Sequence, residues 1–124
     1  MSNFEHSTLV SDLKKSSKEI INELKPEQAD ALHMAVGIAG EAGELLDAIK
    51  KWSIYQKPLD LENVIEELGD LEFYMEGLRQ SLNLTRIETL MENIAKLKKR
   101  YSKGKYTNDQ ANERADKVQA DKKL

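Results

Sequence analysis

Cysteine is absent from the 124-residue chain, and only two histidines, His6 and His33, are present. The first absence excludes disulfide scaffolds, thiolate zinc sites and cysteine nucleophiles. The second leaves too little imidazole for a histidine-built metal centre. Long apolar runs are missing too. The most apolar stretch, LHMAVGIAG at residues 32–40, is about half the length needed to cross a bilayer. The opening MSNFEHSTLVSDLKK has no basic region followed by an apolar one, so no secretory signal is expected, and a soluble cytoplasmic protein is. Neither sign of charge dominates: 22 acidic against 19 basic residues leave a net charge of −3, which argues against a dedicated nucleic-acid binder.

What is present favours helix. Leu (16) and Ala (10) outnumber Val and Ile, which together reach 12, and β-branched residues are the ones that prefer strands. Two prolines divide the chain. Residues 7–24 carry Leu9, Leu13, Ile20 and Leu24 on one helical side, with Ser7 or Thr8 as cap. Pro26 suits the first turn of a second helix reaching about Trp52, with Glu27 and Asp30 near its positive end. Residues 53–60 form a connector, and Asp60 caps a third helix with the stripe Leu61, Val64, Ile65, Leu68, Leu71, Met75 and Leu78. After a break at 83–85, a fourth helix carries Ile87, Leu90, Met91, Ile94 and Leu97 and stops near Gly104. Residues 107–124, with Ala111, Ala115 and Val118 as a thin apolar trace, read as a weak helix and a frayed tail. The expectation is a single all-α domain over 1–124, a bundle of about four main helices.

Two acidic stretches carry the chemistry. In GEAGELLDAIKKW (40–52), Glu41 and Glu44 lie three residues apart; in ENVIEELGDLEFYME (62–76), Glu67 and Asp70 repeat the spacing. Three residues on a helix turn by about 60°, so each pair projects from one face. Antiparallel packing of the two helices brings four carboxylates to one spot. Like charges at that range resist ionising together, and a hard divalent cation with oxygen ligands resolves the conflict. A solvated acidic face is the plainer alternative. Gly37, Gly40, Gly43 and Gly69 sharpen the question, because each glycine inside a helix costs about 1 kcal/mol relative to alanine. Close helix approach or room for a ligand would account for them.

The ordered set Glu41-x-x-Glu44, 22 intervening residues, then Glu67-x-x-Asp70, resembles the signature of the all-α nucleoside triphosphate pyrophosphohydrolases, the MazG-like family. GEAGELLDAIKK, EELGD, NIAKLKKRY (93–101) and Ala111-x-x-Arg114 extend the resemblance over roughly residues 30–115. It implies hydrolysis of a nucleoside triphosphate between the α- and β-phosphates, giving monophosphate and pyrophosphate. It also implies that Glu41, Glu44, Glu67 and Asp70 hold Mg²⁺, with Mn²⁺ as a possible substitute. Glu44 and Glu67 are the catalytic candidates, Glu44 as acceptor of the attacking water's proton.

Charge segregates along the chain. Residues 60–76 hold seven acids and no base, whereas KLKKRYSKGK (96–105) holds six bases in ten. A basic run at a helix C-terminus is already favoured by the helix dipole. The resemblance adds Asn93, Lys96 and Arg100 as triphosphate contacts, with Lys51 assisting. For the base the candidates are His33, Trp52 and Tyr74. Tyr74 follows Asp70 by one turn, His33 returns to nearly the angle of Glu44 about three turns away, and Trp52 can stack. Each also suits a core position. Relatives that prefer deoxycytidine triphosphate use similar contacts, so a pyrimidine deoxynucleotide is the first expectation. The alternatives are a non-catalytic helical interaction module, or a related hydrolase acting on deoxyuridine nucleotides, phosphoribosyl-ATP or guanosine alarmones. A di-iron bundle would need Glu-x-x-His pairs, and none occurs. Because neighbouring helices must close the site, a homo-oligomer is expected, a tetramer before a dimer, with no membrane partner.

Overall fold

The computed structural model describes residues 2–114 and 116–117. Every regular element among them is helical: α1 (Ser2–Leu13), α2 (Ser17–Glu23), α3 (Pro26–Ser53), α4 (Leu61–Ser81), α5 (Arg86–Arg100) and α6 (Asn108–Glu113). The all-α expectation is met. Among the described residues no helix is long and apolar enough to cross a membrane.

Local chemistry sets most boundaries. Pro26 opens α3, where its missing N–H costs nothing, and the Gln28 side chain accepts from the Lys25 backbone N–H. Asp60 Oδ1 accepts from the Asn63 N–H at 3.1 Å and starts α4. Asn83, at φ +57°, turns the chain out of α4, and Thr85 with Glu88 forms a reciprocal capping box on α5.

One boundary corrects the sequence reading. The single helix expected over 7–24 is two helices, and Ser7 and Thr8 lie inside α1 rather than capping it. The apolar stripe runs on across the break, but Ser16 adopts an extended conformation and its side chain accepts from the Glu19 N–H at 3.1 Å. A serine cap outweighs helix propagation at that point. The fourth helix also ends slightly early, at Arg100; a turn then leads to Gly104, whose φ of +74° is the left-handed conformation glycine adopts freely. Residues 108–113 form the short helix expected near the end, whereas Ala115 and Val118 lie outside the described residues.

The extensive packing is between α3 and α4, with a slighter contact between α5 and α6. On α4 the stripe divides: Val64, Leu71, Met75 and Leu78 are half-buried, while Leu61, Ile65 and Leu68 are exposed. The α5 stripe is exposed along its length, Ile87 at 72% and Met91 at 60%. Ala48 is the only buried apolar residue among those described. The chain exposes 10486 Å², against about 6,700 Å² for a compact monomer of this mass.

Candidate functional site

α3 and α4 run antiparallel in a register that can be followed residue by residue. Met34 meets Gly77, Gly37 meets Tyr74, Glu41 lies beside Asp70 and Glu67, and Glu44 acts on Glu67. Each step is about one helical turn along α3 and one turn back along α4. The i, i+3 pairs on the two helices therefore stack into one cluster. One carboxylate oxygen from each of Glu41, Glu67 and Asp70 lies within 4.8 Å of the others. Glu44 joins this group through its effect on Glu67.

The glycines divide by function. A Cβ on Gly37 would lie 2.2–2.5 Å from the Tyr74 ring, and one on Gly77 would lie 2.3 Å from Met34 Sδ. These two permit the helices to approach. Gly40, Gly43 and Gly69 face open space instead. Gly40 and Gly43 line an open cavity of about 400 Å³ together with Glu44, Asp47, Asn63 and Glu67. Room beside the carboxylates is thus built into α3.

Glu67 is 7% exposed, the one buried charged residue among those described. Its Oε2 and that of Glu41 are both buried without a hydrogen-bond partner. Two adjacent carboxylates in that condition need a shared proton or a cation. The Glu67 pKa accordingly rises from 4.5 to about 7, first through the hydrogen bond its protonated form shares with Glu41, then through burial and the Glu44 carboxylate. A cation with oxygen ligands would take the place of that proton, so the donor set fits a hard divalent ion.

Asp47 and Asn63 were not singled out by the sequence reading. Both carried a signal: Asp47 continues the three-residue spacing of Glu41 and Glu44, and Asn63 stands one turn before Glu67. Asp47 is engaged by Lys51 at 3.0 Å and by Lys50 at 3.7 Å. The hydrogen bond and charge of Lys51 hold its carboxyl below the ordinary range. Lys51 therefore reaches the edge of this cavity through Asp47.

The remaining candidates fall into separate groups. His33 and Tyr74 meet edge to face, with ring centroids 6.5 Å apart; Tyr74 stands about one turn from Asp70 and His33 about two turns from Glu41. Trp52, 48% exposed, ends α3 nineteen residues beyond His33, about 28 Å away along the helix. Asn93 and Lys96 line a second cavity of about 900 Å³ on α5. Arg100 donates through Nε and Nη2 to Asp116 Oδ1, at 3.4 and 3.3 Å. The hairpin gathers the carboxylates, and α5 gathers the cations.

Residues 29–104 match the MazG nucleotide pyrophosphohydrolase domain, over more than half of the chain. The chain belongs to the MazG family. The match spans the carboxylate hairpin and α5 with its basic end. No match was found among curated proteins or among solved structures.

Proposed function

We propose that this MazG-family protein is a Mg²⁺-dependent pyrophosphohydrolase that cleaves a nucleoside triphosphate between the α- and β-phosphates. One observation carries the reading: the α3–α4 register stacks two carboxylate pairs and leaves two buried oxygens, on Glu41 and Glu67, without partners. Glu41, Glu44, Glu67 and Asp70 would hold the metal. When bound, the cation screens the triphosphate and makes nearby water more acidic. Glu44, on the open side of the cluster beside Gly40 and Gly43, accepts the proton of the attacking water.

Asn93 and Lys96 bind the polyphosphate, helped by Lys51 and by the donors Arg100 keeps free. A guanidinium offers five N–H groups, and Asp116 engages two of its nitrogens. Tyr74, one turn from Asp70, and His33, two turns from Glu41, contact the base, with a pyrimidine deoxynucleotide such as deoxycytidine triphosphate as first choice. Trp52 reaches the base only from another copy.

The exposed surface supports assembly. The chain exposes several thousand Å² more than a compact monomer of its mass, and obligate interfaces bury areas of about 2,000–5,000 Å². A homo-oligomer, a tetramer before a dimer, covers the α5 stripe and brings the cations of α5 to a neighbouring hairpin. We place the protein in the cytoplasm as a single domain. Light scattering at micromolar concentration should show the oligomer; a monomer alone would contradict it. The reaction is tested with a panel of nucleoside triphosphates and Mg²⁺, scoring pyrophosphate against orthophosphate. Pyrophosphate is expected, and release of orthophosphate alone would overturn cleavage between α and β.

A further inference from the structure

α6 and the described residues that follow it, 114, 116 and 117, lie back against the C-terminal end of α5, and three features hold them there. Gln110 Nε2 donates to Ser102 Oγ at 3.2 Å. Arg114 stands in the left-handed conformation at φ +49°, so the chain reverses at the end of α6, and the Lys117 N–H donates to its carbonyl at 2.9 Å. Asp116 then takes both hydrogen bonds from Arg100. The side chains of this pair are only 11% and 17% exposed, although the described residues hold almost no core. Burial raises the Asp116 pKa, but the Arg100 charge, with Lys96 behind it, outweighs burial and holds the carboxyl below its ordinary range. The pair is therefore ionised at neutral pH.

This fold-back builds the wall of the 900 Å³ cavity. Asn93 and Lys96 line it from α5, and Asp116 and Lys117 line it from the returning segment. Lys96, Lys98, Lys99 and Lys117 outnumber Glu92 and Asp116 around it. A cavity of that size with a net positive lining suits a polyphosphate.

We infer that Lys117 is a phosphate-binding residue of the substrate site, and that Asp116 is a positioning residue that delivers it by anchoring the segment on Arg100. The inference rests on the assignment of Asn93 and Lys96 to the polyphosphate. It makes a prediction whose sign is diagnostic. Asp116 is an anion beside a cationic cavity, so removing its charge should tighten anion binding on electrostatics alone. If Asp116 works by holding Lys117 in place, removing its charge weakens binding instead.

The test is calorimetric titration of the full chain with inorganic tripolyphosphate. The variants are Lys117→Gln, Asp116→Asn, Asp116→Glu and the control Lys96→Gln. Lys117→Gln and Asp116→Asn should each raise Kd roughly fivefold, the scale of a partly exposed ion pair. Asp116→Glu should recover most of the loss, and in turnover the losses should fall on KM with kcat kept. Helical content and thermal midpoint of Lys117→Gln should match the parent. Unchanged or tighter binding by Asp116→Asn, or unchanged binding by Lys117→Gln, overturns the inference while a loss in Lys96→Gln leaves the polyphosphate assignment standing. Unchanged binding by Lys96→Gln removes both.

Discussion

Replacing Gly37 and Gly40 by alanine, one at a time, separates two uses of glycine on the same helix. Both substitutions gain about 1 kcal/mol from helix propensity. At Gly40 the new methyl meets nothing within 4 Å, so that gain stands alone. At Gly37 it meets three Tyr74 ring atoms at 2.2–2.5 Å. All three lie inside the distance real Cβ atoms keep. The ring yields less easily than the end of a methionine would, because the Phe73 and His33 rings lie edge to face with it, at centroid separations of 5.2 and 6.5 Å. Overpacking of this kind costs about 1–3 kcal/mol. With a middle cost of about 2, Gly37→Ala is destabilised by about 1 kcal/mol and Gly40→Ala stabilised by about 1. Urea denaturation at one fixed protomer concentration reads the difference, about 1 M between midpoints for a slope near 2 kcal/mol per M. Gly40→Ala should lose turnover despite its stability, since it intrudes on the cavity beside Glu44 and Glu67. A Gly37→Ala protein as stable as Gly40→Ala would refute the close approach of α3 and α4 at Tyr74.

The protonation of Glu67 sets a pH dependence in metal-free protein. The fold holds its proton to about pH 7, whereas the unfolded chain releases it near 4.5, so the native state carries more protons across that window and stability falls as pH rises through it. Denaturation in chelator at pH 5 and pH 8 should show the fall, and Glu67→Gln should flatten it; an unchanged slope in the variant would assign the effect elsewhere. Mg²⁺ at about ten times its Kd should stabilise the protein at pH 8 by about 1.4 kcal/mol, a thermal shift of about 5 °C. The same addition should leave Glu67→Gln unshifted, and an equal shift in both would remove Glu67 from the metal site.

Much of the site was legible because short-range rules governed it. The spacing of Glu41, Glu44, Glu67 and Asp70 fixed which faces they share, and Pro26, Asp60 and Thr85 marked where α3, α4 and α5 begin. The glycines were legible only as a question. Gly37 answered with close approach, Gly40 and Gly43 with open space, and the distinction depends on what the opposite helix presents at each level. Ser16 was missed because the apolar stripe continues across it, while the cap that breaks the helix is a single hydroxyl. The Arg100–Asp116 pair spans sixteen residues through a left-handed turn, and no periodicity announces such a contact. Nor does an apolar stripe name the surface that covers it, as α5 shows.

The central claim is that the carboxylates gathered between α3 and α4 perform the hydrolysis. The most direct test is pyrophosphate release from a nucleoside triphosphate with Mg²⁺ by the parent chain, Glu44→Gln and Glu67→Gln, with helical content measured alongside. Loss of at least about 10³-fold in both variants, at unchanged helical content, is the predicted result. Turnover within a few-fold of the parent in either folded variant would contradict the account.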